Sequence, residues 1–411
     1  MRQAPTFLFL VVGFLSLSCS GGSDDPVSPS VQAGRPLSAS ERALTESHTA
    51  FGIKLLQEIN QQASHGDNLF LSPFSCSTPL LMAYNGADGE TKTAMERTLE
   101  LGELTIEEVN EGYRDLVARF IGFGSQAPIE IATSIWIDAR TQPAEAFLEV
   151  GRTYYDTHIA SLDFLNPKAL GTINSWVDEE THGRIPAILD EIPGNSRLYL
   201  IDTIWFKGQW VKEFDPELTV EQDFHLLDGT HVPCEMMVME ESEQWYAWDT
   251  ASGTMVLDLP YSLGDYSMAI VLPDPSENVN DLIERLTPEL WDDLISSLWL
   301  LDGIDVYIPR FRLESDLLLN EPLEAMGMGI AFSAEADFSG MMPPGAIWIS
   351  RVIHSTFVEV SEEGTEAVGA SGAEVGWEGS WVFRADRPFL FAIRHRPSGA
   401  VLFMGKVADP T

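Results

Sequence analysis

Residues 362–376 read Glu362-Glu363-Gly364-Thr365-Glu366-Ala367-Val368-Gly369-Ala370-Ser371-Gly372-Ala373-Glu374-Val375-Gly376. Extended side chains alternate between two faces. One set here is Thr365, Ala367, Gly369, Ser371, Ala373 and Val375, which is small or apolar and carries no charge. The other is Glu366, Val368, Ala370, Gly372, Glu374 and Gly376, so the two glutamates that follow Thr365 share a face. No proline interrupts the run, and every residue can join a hydrogen-bond ladder. Composition alone would also describe a flexible Gly/Ala/Ser linker. The parity of the charges and the Glu-Glu-Gly-Thr-Glu-Ala lead-in favour a segment that can become a strand, with its uncharged face over a core.

Outward from this run, the chain reads as α+β. Downstream, Phe389 to Arg394 and Ala400 to Val407 have strand composition, as does Trp348 to Val360 upstream. Met255 to Leu259 and Tyr266 to Leu272 read as strands joined by a turn. Leu198 to Phe206 is continuously apolar and suits a central strand. Ile129 to Ile137 alternates and suits a strand buried on one face. Helices are expected early: Ser38-Ala39-Ser40-Glu41 has the capping-box pattern ahead of helically spaced apolar residues, and Pro73 to Asn85 and Thr91 to Leu99 also read as helical. Trp381 and Phe383 are expected to be packing residues of a returning strand.

The 411 residues suffice for a large core. The Pro/Ser/Gly-rich run Gly21 to Pro36 is the one low-complexity segment, so a single domain is expected over 38–411. Before it, Arg2, the apolar run Phe7 to Leu17 and the small residues Ser18 and Cys19 read as an export signal over 1–19, too short to span a bilayer. The sequence around Cys19 resembles a bacterial lipoprotein cleavage site. Cys19 would then carry a lipid and residues 20–37 would form a flexible polar tether at the cell envelope. Simple secretion to the extracellular space is the alternative. Cys76 and Cys234 are expected to be buried free thiols.

With 24 Lys and Arg against 63 Asp and Glu, the net charge is −39. Such a surface repels nucleic acid and heparin-like polyanions, which need basic residues. There is no G-x-S-x-G elbow, no H-E-x-x-H helix and no P-loop. The histidines lack metal-ligand spacing; His225 and His231 come nearest and suit surface or turn positions. No catalytic residue, metal or cofactor is expected.

Several blocks, in order along nearly the whole domain, resemble the serpin family, bacterial-type and inhibitory. They include Asn68 to Ser75, Asn174-Ser175-Trp176-Val177 with Thr181 to Ile185, Trp205-Phe206-Lys207-Gly208-Gln209-Trp210 and Leu259-Pro260-Tyr261. Ile308-Pro309-Arg310-Phe311, Asp337-Phe338-Ser339-Gly340, Glu362 to Ala367, Arg387 to Phe391 and Leu402 to Gly405 complete them. The resemblance implies an α+β serpin fold with three β-sheets, about eight or nine helices and an exposed reactive-centre loop. It implies a monomer, not an enzyme, that inhibits serine-type endopeptidases, with cysteine-type ones as a second class. A protease would cut the loop, and the freed strand would enter the large sheet with the protease still acyl-linked. The alternative is a non-inhibitory serpin that binds or chaperones.

Within that resemblance Glu362, Gly364, Thr365, Glu366, Ala367, Val368, Gly369, Ala370 and Ser371 form the hinge; only Val368 departs from the usual alanine. Counting forward from Glu362 puts the scissile bond between Glu378 and Gly379, which suits a Glu-specific protease. Counting back from Pro388 puts it between Trp377 and Glu378, which suits a chymotrypsin-like or subtilisin-like one. Ser72, Ser75, Asp202 and His354 would form the shutter beneath the sheet, and Trp210 would lie at the breach where the loop enters. Asp202 stands where the family has asparagine. A carboxylate beside an imidazole titrates, so sheet opening is expected to depend on pH.

Overall fold

The computed structural model describes residues 35–121, 129–140, 142–262, 264–342, 347–365 and 381–411. The expected export signal, Cys19 and nearly all of the expected tether fall outside these residues. The helices are α1 (Ala39–Gln62), α2 (Pro73–Tyr84), α3 (Gly89–Thr98), α4 (Ile106–Ile121), α5 (Glu145–Val150), α6 (Lys168–Glu180), α7 (Val279–Arg285), α8 (Pro288–Ser296) and α9 (Asn320–Leu323). The strands are β1 (Leu69–Leu71), β2 (Ile129–Asp138), β3 (His158–Leu162), β4 (Leu198–Phe206), β5 (Gly208–Gln209), β6 (Val220–His225), β7 (His231–Trp248) and β8 (Met255–Pro260). Then follow β9 (Tyr266–Leu272), β10 (Trp299–Pro309), β11 (Phe311–Leu318), β12 (Ile349–Ser361), β13 (Gly364–Thr365), β14 (Trp381–Arg384), β15 (Phe389–His395) and β16 (Ala400–Val407).

Local chemistry sets the helix starts. Ser38 Oγ accepts the Glu41 N–H at 3.1 Å and the Glu41 carboxylate accepts the Ser38 N–H at 2.7 Å, closing the expected capping box. Glu41 is fully buried against Arg119 of α4 and Arg35, both at 2.6 Å. Burial alone would raise its pKa, but the hydrogen bonds from Arg119, Arg35 and Ser38 hold it at about 2. Among the described residues no helix is long and apolar enough to cross a membrane.

The strands fall into two hydrogen-bonded networks. One holds nine strands and is carried by the long β7 and its antiparallel partner β10, so that two of the three expected sheets run into each other. The β7–β10 ladder shifts register on either side of Ile304, next to Gly303 at φ 72°. The other is the large sheet, in the order β3-β2-β4-β12-β13-β5 with β11 on the far side of β12. β2 is antiparallel to β4 and β11 to β12, whereas β4 and β12 run parallel, from Leu198 beside Ile349 to Trp205 beside Phe357.

One face of the large sheet covers the main core, and part of the other packs under α6 through Trp136, Ile173, Val177, Tyr199, Ile201 and Ile353. This second layer corrects the reading of β2. From Thr133 to Asp138 it is buried on both faces, since Ile135 and Ile137 enter the main core while Trp136 enters the layer beneath α6. Trp381 is also corrected: it is 45% exposed at the start of β14, while Phe383 is fully buried. Cys76 and Cys234 are buried free thiols, as expected.

Candidate functional site

The top of the β4–β12 seam is where the hinge begins. β12 turns at Glu362-Glu363 into β13, whose two residues pair antiparallel with β12 on one side (Thr365 with Val360) and with β5 on the other (Thr365 with Gly208). Gly364 and Thr365 therefore already lie between two strands. Gly364 makes this possible: its φ is 147°, and a Cβ there would stand 2.1 Å from the Gly208 carbonyl oxygen. Thr365 is fully buried and shares a 2.8 Å hydrogen bond with the Tyr261 hydroxyl. Trp210 stacks on Tyr261 at 4.4 Å and donates its indole N–H to the Ser361 carbonyl at 3.0 Å.

The turn is pinned by side chain and backbone. The Glu362 carboxylate takes two 2.7 Å hydrogen bonds from the Arg310 guanidinium and one of 2.5 Å from the Thr219 hydroxyl. Burial pushes its pKa up, but Arg310 and then Thr219 outweigh that and leave it below the ordinary glutamate value. The Glu362 and Glu363 carbonyls accept the N–H groups of Phe214 and Trp210. The Glu363 carboxyl is pushed up by burial and by neighbouring Glu213.

Lower on the seam, the four expected shutter residues meet, all fully buried. Asp202 and His354 are register partners across β4 and β12. His354 Nδ1 and the Ser75 hydroxyl each lie 2.6 Å from Asp202 Oδ2. The Ser72 N–H donates to His354 Nε2 at 3.0 Å, and the Ser72 hydroxyl donates to the Leu402 carbonyl at 2.5 Å. Because Nε2 accepts a backbone N–H, the ring proton sits on Nδ1 and points at Asp202. The pair thus bridges β4 and β12. Asp202 Oδ1 is buried with no hydrogen-bond partner among the described residues.

Cys76 joins Asp202 and His354 in a buried trio whose donor atoms lie within 4.8 Å of one another. The Cys76 thiol is pushed well above its ordinary range by burial and then by Asp202.

Glu366, Ala367, Val368, Gly369, Ala370 and Ser371, with Trp377, Glu378 and Gly379, lie outside the described residues. Arg310, Thr219 and Tyr261 were not singled out from sequence as partners. Arg310 and Tyr261 stand in the family-like blocks, but separations of 52 and 104 residues from Glu362 and Thr365 leave no local signal of the pairing. His225 and His231 face each other across the β6–β7 hairpin at exposed positions.

A family model described as Serpin (serine protease inhibitor) matches residues 46–410. A leukocyte elastase inhibitor of Bos taurus is 33% identical over 381 residues, covering 89% of this chain and 99% of that protein. An uncharacterized serpin-like protein of Methanosarcina acetivorans is 32% identical over 383 residues, covering 91% and 88%. Among solved structures, mouse protein-Z dependent protease inhibitor superposes with a TM-score of 0.83 at 28% identity, covering 90% and 98%. Human thyroxine-binding globulin, solved in complex with thyroxine, has the same TM-score at 26% identity, covering 91% and 100%.

Proposed function

The chain belongs to the serpin family, and on that footing we propose that it is an exported suicide-substrate inhibitor of serine-type endopeptidases. Members of the family are generally protease inhibitors rather than enzymes, and proteases are their partners. The reading makes this chain a monomer consumed one for one. It reaches its protease either anchored through a lipid on Cys19 or freely secreted. The protease hydroxyl attacks the carbonyl of Trp377 or Glu378, the peptide bond breaks to release the downstream amine, and the acyl ester joins protease to loop. Insertion then carries the ester away before water can cleave it.

The observation that carries the reading is the position of β13. Its residues already run antiparallel to both neighbours at the top of a parallel seam. A strand continuing from β13 between β4 and β12 would exchange one parallel ladder for two antiparallel ones, the more stable kind per residue. Continuing the register of Thr365 opposite Val360 would set Ala367, Gly369, Ser371 and Ala373 opposite Val358, Thr356, His354 and Val352. Those four are buried, and the uncharged set of the loop would face the core with them. Glu374 would come opposite Arg351. Ser371 would arrive between His354 and Asp202, with a hydroxyl able to accept from one and donate to the other.

The reading is tested by cutting the loop and melting the product. Proteolysis between residues 371 and 380 should raise the midpoint of thermal unfolding while both fragments stay associated. A midpoint unchanged or lowered by the cut would refute insertion and favour a serpin that only binds.

A further inference from the structure

On the outer face of the large sheet, above the part covered by α6, lies a cleft of 460 Å³ that no step of the inhibitory reading uses. Its floor is the seam itself. Thr203 and Trp205 of β4 stand beside their register partners Ser355 and Phe357 of β12. The segment leaving α6, from Thr181 to Ala187, forms one wall and β11 the other. Arg184 lies over the Trp205 ring at 4.3 Å and Arg312 over the Phe357 ring at 5.0 Å, so flat surfaces line both sides. The Trp205 indole N–H is buried with no hydrogen-bond partner among the described residues.

We propose that this cleft is a binding site for a small, planar, uncharged heteroaromatic molecule bearing one hydrogen-bond acceptor, and that its ligand holds the β4–β12 seam shut. The volume falls in the range of small-molecule sites. Flat aromatic and guanidinium surfaces select a flat ligand. The lining carries Arg184 and Arg312 against Glu314, Asp316 and Glu359, so neither a cation nor an anion is strongly favoured. The buried Trp205 N–H is the lining's unpartnered donor among the described residues, and an acceptor on the ligand would satisfy it.

The coupling to the seam is geometric. An additional strand would move Trp205 and Phe357 about 4.8 Å further apart, and a ligand in contact with both could not keep both contacts. Such a ligand binds the closed sheet alone and removes the open form by mass action. At ten times its dissociation constant the open population falls about 11-fold. This second half rests on the insertion reading of the hinge; the binding does not.

The test uses quinoline, uncharged at neutral pH, with naphthalene as the same shape without an acceptor. Ligand-observed NMR titration of the mature protein should give saturable binding, tighter for quinoline by about five-fold, the worth of one neutral hydrogen bond. In Trp205→Phe, which keeps a ring beneath Arg184, the preference should vanish. Quinoline at ten times its dissociation constant should slow insertion of a synthetic peptide of residues 365–376 by about 11-fold. No saturable binding, equal binding of the two probes to the parent, or a preference that survives Trp205→Phe would overturn the site. Binding without slower insertion would overturn the coupling. Binding by a protein that traps no protease would leave the site standing and refute the inhibitory reading instead.

Discussion

Replacing Glu362 with alanine cuts the side-chain tie that holds the hinge turn, and its cost can be bracketed from the geometry. Exposed ion pairs are worth up to about 1 kcal/mol, and breaking a buried one costs about 3–5 kcal/mol. Here the glutamate side chain is 4% exposed and the arginine 41%, and Arg310 keeps its second partner Glu235. The loss should therefore be about 2–3 kcal/mol, or roughly 3 °C in midpoint for a chain of this length. Arg310→Ala should cost at least as much, because it strands a buried carboxylate with only Thr219. The double variant should show a coupling of about 1.5–2 kcal/mol in the cycle. Since the folded pKa of Glu362 lies below its ordinary value of 4.5, the contribution is present above that pH and lost as pH falls through the folded value. Denaturant unfolding at pH 7.5 measures the cycle. A companion assay, the rate at which uncut protein converts on warming to a loop-inserted or oligomeric form, should rise in both single variants. Additivity of the two substitutions within about 0.5 kcal/mol would refute the pairing, and unchanged conversion rates would refute its role in holding the turn.

Three further expectations follow from other contacts. Asp202→Asn removes the carboxylate that ties β4 to His354 of β12, so peptide insertion into the sheet at pH 7.5 should be faster in the variant than in the parent; equal rates would sink the idea. Thr365→Arg places a charge at a position that is fully buried, and the variant should be cleaved by proteases without forming a stable complex, seen as a fall in trapped product on denaturing gels. His48 is buried with both ring nitrogens unpartnered among the described residues, and burial lowers its pKa to about 3; burial, then Arg119, lowers that of His395 to about 4. Below about pH 6.5 the unfolded chain takes up protons that the native one refuses, so stability falls as pH falls; His48→Met should remove about 4–5 kcal/mol of the loss between pH 6.5 and 3, read as a shallower acid limb in urea midpoints.

What the sequence showed best was whatever is written in short range. The capping box at Ser38, the proline-stopped start of α2, the β8–β9 hairpin and the free cysteines were all legible because neighbouring residues decide them. The pairing of Asp202 with His354 came through the family pattern, and its departure from asparagine was visible before any coordinates. Less legible was anything set by packing of distant segments. Nothing in Ile129 to Ile137 announces that α6 covers its second face. Trp381 was read as a packing residue of the returning strand, yet the fold leaves it half exposed on an edge strand. Asp302-Gly303 lies at the register shift of the β7–β10 ladder. The tie of Glu362 to Arg310 and the cleft over Trp205 join segments far apart in the chain, and no spacing rule points to either.

Covalent trapping of a protease is the property that separates an inhibitory serpin from one that is merely cleaved. The purified protein would be mixed with a chymotrypsin-like, a trypsin-like, a subtilisin-like and a Glu-specific protease, followed by boiling, denaturing electrophoresis and mass spectrometry of the released C-terminal peptide. The prediction is a covalent complex with at least one of them, and a released peptide beginning at Glu378 or Gly379, which also identifies the bait residue. Clean cleavage across the panel with no complex surviving denaturation would contradict it.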